Sequence, residues 1–285
     1  MYKKIYVFIP KSKIKKLGIG NLKPRLFKEF NKNTKVEIIN DLVEDSNCIY
    51  FFIRWFDESY VKIIENLKKK NNYLIYQILD ENFKFDQEEY YRKLKHFSMF
   101  FDQIIFNSKH HKDKFKLDIK TSFTYHEYDI RFKAKEINDN IEYHGMIEKS
   151  SFTENLLKKF NIKHFTYGSS SKMITNGYSC IHIDYVTNKN QYFHYHTSTK
   201  LSTALVLNCI FICNKVPVYY EILGNDYKFY INDDLSNLNE IIQLAKETIN
   251  DKLKYNEYLD SVKKYKEVLS PENINNEFMK IFSAI

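Results

Sequence analysis

Residues 47–80 read NCIYFFIRWFDESYVKIIENLKKKNNYLIYQILD, and they hold the pattern on which the fold turns. Two short apolar runs, NCIYFFIR (47–54) and NYLIYQILD (72–80), have the length and composition of strands. Between them, SYVKIIENLKKK (59–70) repeats apolar residues at spacings of three and four, the period of a helix with one buried stripe. Strand, helix, strand within 34 residues is a βαβ unit, which pairs its strands in parallel. The same alternation extends outward from this stretch. KKIYVFIP (3–10) and KVEIIN (35–40) precede it, with Pro24 opening a helical pattern between them, where proline is tolerated in a first turn. FDQIIFNS (101–108) and KTSFTYHE (120–127) follow, separated by the helical patterns QEEYYRKLKHFSMF and HHKDKFKL.

A polar, aperiodic stretch, KAKEINDN (133–140), reads as a linker, after which the alternation restarts. IEYHGM (141–146), KHFTYGS (163–169), YSCIHIDYV (178–186), NCIFICN (208–214) and YKFYIN (227–232) are expected strands, with helices at 152–161, 197–207 and 236–249. After about Asp251 only helical patterns remain. The expectation is an α/β chain of two successive halves, 1–138 and 139–268, with a helix over 269–285 crossing back to the first half.

Composition narrows the function classes. With 44% apolar and 28% charged residues in a chain of 285, the composition is that of a soluble globular protein. No run approaches about 18 uninterrupted apolar residues, and the N-terminus lacks a small-residue cleavage site, so neither a membrane span nor a signal peptide is expected. Four scattered cysteines, Cys48, Cys180, Cys209 and Cys213, three of them inside apolar strand-like runs, read as reduced core residues of a cytoplasmic protein. The excess of 44 Lys and Arg over 36 Asp and Glu gives +8, which suits nucleic acid, an anionic membrane surface or small anionic ligands alike. No HExxH, paired CxxC or strand-flanked DxD appears, so no metal site is expected.

Ligands of open α/β sheets settle beyond the carboxyl ends of strands, which makes the strand exits the places to look. The loop 11–23 carries Gly18, Gly20 and Asn21 ahead of a helix, where backbone can approach a ligand closely, but Leu22 and Lys23 fill the last positions of a GxGxxG pattern and disfavour a nicotinamide dinucleotide. Asp80 ends one strand and His126 another. Either side chain can accept a proton from a hydroxyl, and either equally fits a cap or a structural role. Gly168-Ser169-Ser170 follows a strand and suits a nucleobase, a phosphate or a plain turn. The most informative segment is 195–234. Its turn His196-Thr197-Ser198-Thr199-Lys200 runs into the apolar helix LSTALVLN, bringing hydroxyls, a cation and helix N–H groups to one place, as a diphosphate requires. A buried strand follows, then Pro217 and Glu221, whose carboxylate can take two hydrogen bonds from a ribose diol. An ordinary capped helix and strand would read the same.

This succession of a Thr/Ser/Lys turn, an Ala/Leu-rich helix, a short apolar strand, a Pro and a Glu about twenty residues past the Lys resembles the donor-binding segment of GT-B glycosyltransferases. The layout of the rest is similar: FDQIIFNSKHHKDKF resembles the last strand and helix of that family's first domain, and IEYHGM the opening strand of its second. Asn208 stands where the family has a glycine before the buried strand. The resemblance implies two Rossmann-like domains facing across a cleft and C-terminal helices, with the acceptor held mainly by the first domain and the nucleotide-sugar by the second. It implies transfer of a sugar from a nucleotide-diphosphate sugar, the donor substrate, to a hydroxyl of a glycan or glycolipid, without metal or other cofactor. Lys200, the helix start near Thr199, and Lys149 would meet the diphosphate. His196, Thr197 and Ser198 would line the cradle, with Gly20 and Asn21 also at the ligand. Glu221 would hold the ribose, Ser169 and Ser170 the base, and Asp80 or His126 would take the acceptor proton. A cytoplasmic enzyme of surface glycan biosynthesis, peripheral to the inner membrane and without nucleic-acid partners, is the expectation. A catalytically silent GT-B-like interaction module and a basic nucleic-acid-binding protein are the two alternatives.

Overall fold

The computed structural model describes residues 2–9, 26–31, 35–53, 58–78, 87–134, 136–147, 150–166, 178–189, 191–194 and 196–285. The chain forms two compact units, one of Met1–Tyr125 with Pro271–Ile285, the other of His126–Ser270.

The first unit is built on a six-stranded sheet: β1 (Ile5–Phe8), β2 (Val36–Ile39), β3 (Ile49–Ile53), β4 (Tyr73–Gln77), β5 (Gln103–Phe106) and β6 (Lys120–Phe123). The spatial order is β2-β1-β3-β4-β5-β6, and each neighbouring pair is parallel. Every residue of β3 is buried, as expected of a central strand covered on both faces. The intervening α1 (Val61–Lys69) buries Ile64 and Leu67, three apart on one stripe. Helices α2 (Gln87–Ser98) and α3 (Lys109–Lys114) follow β4 and β5, and the Ser108 hydroxyl caps α3 by accepting the His111 N–H at 3.0 Å. The C-terminal helix completes the core. Ile274, Phe278 and Phe282, four residues apart along Pro271–Ser283, are 0%, 0% and 5% exposed and pack with Val7, Phe27, Phe51 and Ile75.

The second unit has a four-stranded parallel sheet of β7 (Glu136–His144), β8 (Lys163–Phe165), β9 (Tyr178–Asp184) and β10 (Ile210–Cys213), in the order β10-β9-β7-β8. Its helices are α4 (Glu154–Lys159), α5 (Thr199–Val206), α6 (Pro217–Leu223), α7 (Leu238–Asn250) and α8 (Lys252–Val268). The helix at Pro271–Ser283 is α9.

Two elements differ from the sequence reading. The stretch 133–140 contains the start of β7. Its first residues are mostly exposed and polar, so they carry no hydrophobic signal, and they pair with β9 through Glu136↔Tyr178 and Ile137↔Ser179. The run 227–232 is not a strand. It touches β10 through a single bridge, Cys213↔Tyr230, with hydrogen bonds from Cys213 N–H to Phe229 O (3.3 Å) and Ile231 N–H to Cys213 O (2.9 Å). Its alternating aromatics serve packing. Tyr227 donates to the Phe211 carbonyl, and Phe229 lies edge-on to Tyr258.

Asn208 sits between α5 and β10 at φ 59°, the left-handed region where glycine costs least and asparagine comes next. This conformation closes α5, with the Cys209 N–H returning to Ala204 O at 2.8 Å. The four cysteines are free and buried. Among the described residues no helix is long and apolar enough to cross a membrane.

Candidate functional site

In the second sheet the chain runs from β7 to β8 on one side and then returns to β9 on the other. The order therefore reverses between β7 and β9, and the carboxyl ends of those two strands are where a doubly wound sheet opens toward ligand. A cluster of polar side chains occupies that place. Asp184, the last residue of β9, is fully buried. Its Oδ1 accepts from Lys200 Nζ at 2.6 Å, and its Oδ2 accepts from His196 Nε2 at 2.8 Å and from the Tyr219 hydroxyl at 2.7 Å. Lys200 lies in the first turn of α5, His196 four residues ahead of it, and Tyr219 on α6, so one carboxylate joins three segments.

Lys200 is confined on its other side by β7. Its ammonium donates to the Tyr143 hydroxyl at 3.2 Å and lies 4.4 Å from the centre of that ring, a cation–π distance. Tyr143 in turn donates to Met146 O at 2.8 Å. Gly145, just past β7, has φ 152°, and a Cβ there would stand 3.2 Å from Lys200 Cε and 3.0 Å from the Tyr143 hydroxyl. Only glycine leaves this room without displacing the lysine.

Burial alone would raise the Asp184 carboxyl, but the charges of Lys200 and His196 and their hydrogen bonds outweigh it and hold the group well below the usual carboxylate range. Burial would likewise lower Lys200, and the Asp184 charge reverses this and lifts the ammonium above its ordinary value. The pair is therefore ionised at neutral pH. An ammonium has three donors, and Asp184 and Tyr143 take two. The Lys200 side chain retains 19% exposure. Beside the cluster, His164 stacks on Tyr143 at 5.5 Å, bonds Gly145 O at 2.8 Å, and forms part of the wall of an open pocket of about 540 Å³ with Ile147, Leu157 and Asn161.

Of the residues singled out from sequence, His196, Thr197, Ser198, Thr199 and Lys200 share this place, though not all face outward. Ser198 is fully buried, accepts the His126 backbone N–H at 2.8 Å, and does not cap α5 with its side chain. Its hydroxyl is thus turned inward, away from the cradle expected of it. The Thr197 and Thr199 hydroxyls bond each other at 2.9 Å. The first hydrogen bond of α5 runs from Ser202 N–H to Ser198 O, leaving the N–H groups of 199–201 ahead of the ladder. His126 is 1% exposed. Glu221 is half-buried on α6, whose link to Asp184 is Tyr219. Gly20, Asn21, Asp80, Lys149, Ser169 and Ser170 lie outside the described residues. No group of three or more His, Cys, Asp or Glu among the described residues is placed to hold a metal ion.

Sequence reasoning passed over Asp184, Tyr143 and Tyr219. The strand-exit rule that picks out Asp80 applies equally to Asp184 at the end of YSCIHID, whereas nothing marks two tyrosines among 23.

No protein-family model matches the sequence, and no curated protein matches it. Solved structures do. The chain is similar over its whole length to Anabaena HepE in complex with UDP and glucose, at 11% identity and a TM-score of 0.59, covering 100% of both chains. It is similar to an alpha-glucosyltransferase in complex with UDP-glucose and DNA containing an abasic site, at 12% identity and a TM-score of 0.60, covering 98% of this chain and 99% of that one. A match to TarM, at 15% identity and a TM-score of 0.44, covers 85% of this chain and 56% of TarM, so the chain spans little more than half of that protein. With two parallel α/β sheets, their connecting helices and these full-length likenesses, the chain has the GT-B fold of nucleotide-sugar glycosyltransferases.

Proposed function

We propose that the protein is a glycosyltransferase that moves a sugar from a nucleotide-diphosphate sugar to a hydroxyl acceptor, and that its second unit holds the donor diphosphate at Lys200. One observation carries this reading: a lysine ammonium with a donor unspent among the described residues stands at the carboxyl ends of β7 and β9, where the strand order reverses. In the transfer, the bond from the anomeric carbon to the diphosphate oxygen breaks while the acceptor oxygen bonds to that carbon and gives up its proton to a general base, the role proposed for Asp80 or His126. Negative charge gathers on the departing diphosphate. A fixed ammonium and the N-terminal N–H groups of α5 stabilise that charge more than the ground state, which lowers the barrier without a metal. The UDP and UDP-glucose of the similar structures favour a uridine nucleotide as the first donor to try. A glycan or glycolipid acceptor follows from the sequence resemblance, and the +8 charge suits work beside an anionic inner-leaflet surface in the cytoplasm.

Thermal shift against UDP, GDP, CMP and ADP tests the reading, since a ligand that binds only the folded chain raises Tm by mass action. A shift with one of these, lost in Lys200→Ala measured against that variant's own melting curve, is expected. A shift unchanged by Lys200→Ala, or no shift with any nucleotide, would refute it.

A further inference from the structure

We infer that Asp184 is a positioning residue of the proposed diphosphate site: it anchors the Lys200 ammonium so that its remaining N–H donor is held for the ligand. The inference rests on the donor-site reading above and adds a residue and a mechanism to it. The geometry separates two roles within one carboxylate. Oδ2 is gripped by Tyr219 at 2.7 Å and His196 at 2.8 Å, whose rings meet edge to face at 87° with centres 5.4 Å apart. Those two donors fix the plane of the carboxylate and present Oδ1 to Lys200. A flexible lysine loses rotamer freedom on being ordered. Here that cost falls at folding, because Asp184, the Tyr143 ring and the bare Cα of Gly145 already enclose the ammonium. Binding then orders only the ligand, the general advantage of a preorganised site.

Asp184 also keeps the cation charged. Without a counter-charge, burial favours the neutral amine, which is no partner for a phosphate. The titratable groups that face the pair are Tyr143 on β7, His182 on β9, Cys213 on β10, Tyr219 on α6, and His196. Apart from these, the anion in direct contact with the lysine is Asp184 itself.

The test uses the full chain with Lys200 observed by NMR through its side-chain carbon and nitrogen, and UDP as the probe of affinity. In the native protein Lys200 stays protonated to about pH 10, and the UDP dissociation constant stays flat from about pH 7.5 to about pH 9, below the pH at which the uracil ring itself loses a proton. In Asp184→Asn the ammonium titrates inside that window, and UDP affinity falls at least tenfold across it as pH rises. Asp184→Glu, which restores the charge, recovers part of the flat profile. Tyr219→Phe, a milder change should Asp184→Asn fail to fold, leaves Lys200 protonated and weakens UDP several-fold. A flat UDP profile and a protonated Lys200 at pH 10 in Asp184→Asn would overturn the inference, as would unaltered UDP affinity in Tyr219→Phe. If native protein binds no UDP, the donor-site reading fails for uridine nucleotides, and the Lys200 titration in Asp184→Asn still decides whether Asp184 holds the ammonium.

Discussion

A buried carboxylate bonded to one lysine, one histidine and one tyrosine is costly to dismantle piecemeal. Removing only Lys200 strands the Asp184 charge in the interior, a loss of about 3–5 kcal/mol, whereas replacing both charges with neutral side chains of similar volume costs much less. Lys200→Ala is therefore expected to lower Tm by far more than the pair Asp184→Asn with Lys200→Met, while both variants lose their response to UDP. Differential scanning calorimetry with and without UDP separates stability from binding. A double variant as unstable as the single one would mean that the charge pair is not what holds this corner together. At this scale the sequence was legible only in part. Lys200 stands out because a cation beside hydroxyls at a helix start is a readable pattern. The inward turn of Ser198 is not, since its partner is a backbone N–H from His126, 72 positions away, and no local rule reports such a meeting.

Among the elements, helix α9 shows how a single stripe decides where a segment belongs. Phe278 is fully buried, with ring centres 5.3 Å from both Phe27 and Phe51 and a stacked approach to Phe282. Phe278→Ala should cost about 3–5 kcal/mol through lost burial and the cavity left behind. Urea unfolding followed by a probe in the first unit reads the loss, and a change below about 1 kcal/mol would show that the core collapses to fill the gap. Strands and helices with a regular apolar period were legible along most of the chain. The beginning of β7 was not, because the exposed end of a strand obeys pairing rather than hydrophobicity, and 227–232 alternates like a strand because aromatics pack on both its sides.

For the molecule as a whole, acid is the condition to which the second unit is most exposed. His182 on β9 is 2% exposed, and neither ring nitrogen has a hydrogen-bond partner. Burial, with the charges of His144 and Lys200, pushes it well below the ordinary histidine value. His144 stands 5.3 Å away ring to ring, with its Nε2 on Glu142 at 2.8 Å. A group of depressed basicity binds its proton in the unfolded chain first, so stability falls as pH drops below about 6.5, by up to about 1.4 kcal/mol per pH unit for one proton. Asp184 works the same way lower down: its depressed pKa contributes stability above the unfolded value near 4, and that contribution is lost as pH falls further. Melting temperatures recorded from pH 7.5 to 5 should decline in the native chain and decline less in His182→Leu. Parallel curves for the two would sink this account.

The first unit is assembled from two separated stretches, 1–125 and 271–285, while the second is one uninterrupted run. On the ribosome, the later-made module has all its parts before the earlier one does, because the phenylalanines that seal the latter emerge after residue 270. Maturation thus runs against the direction of synthesis. During that interval the nascent first module exposes an unsealed apolar face to chaperones and to other chains.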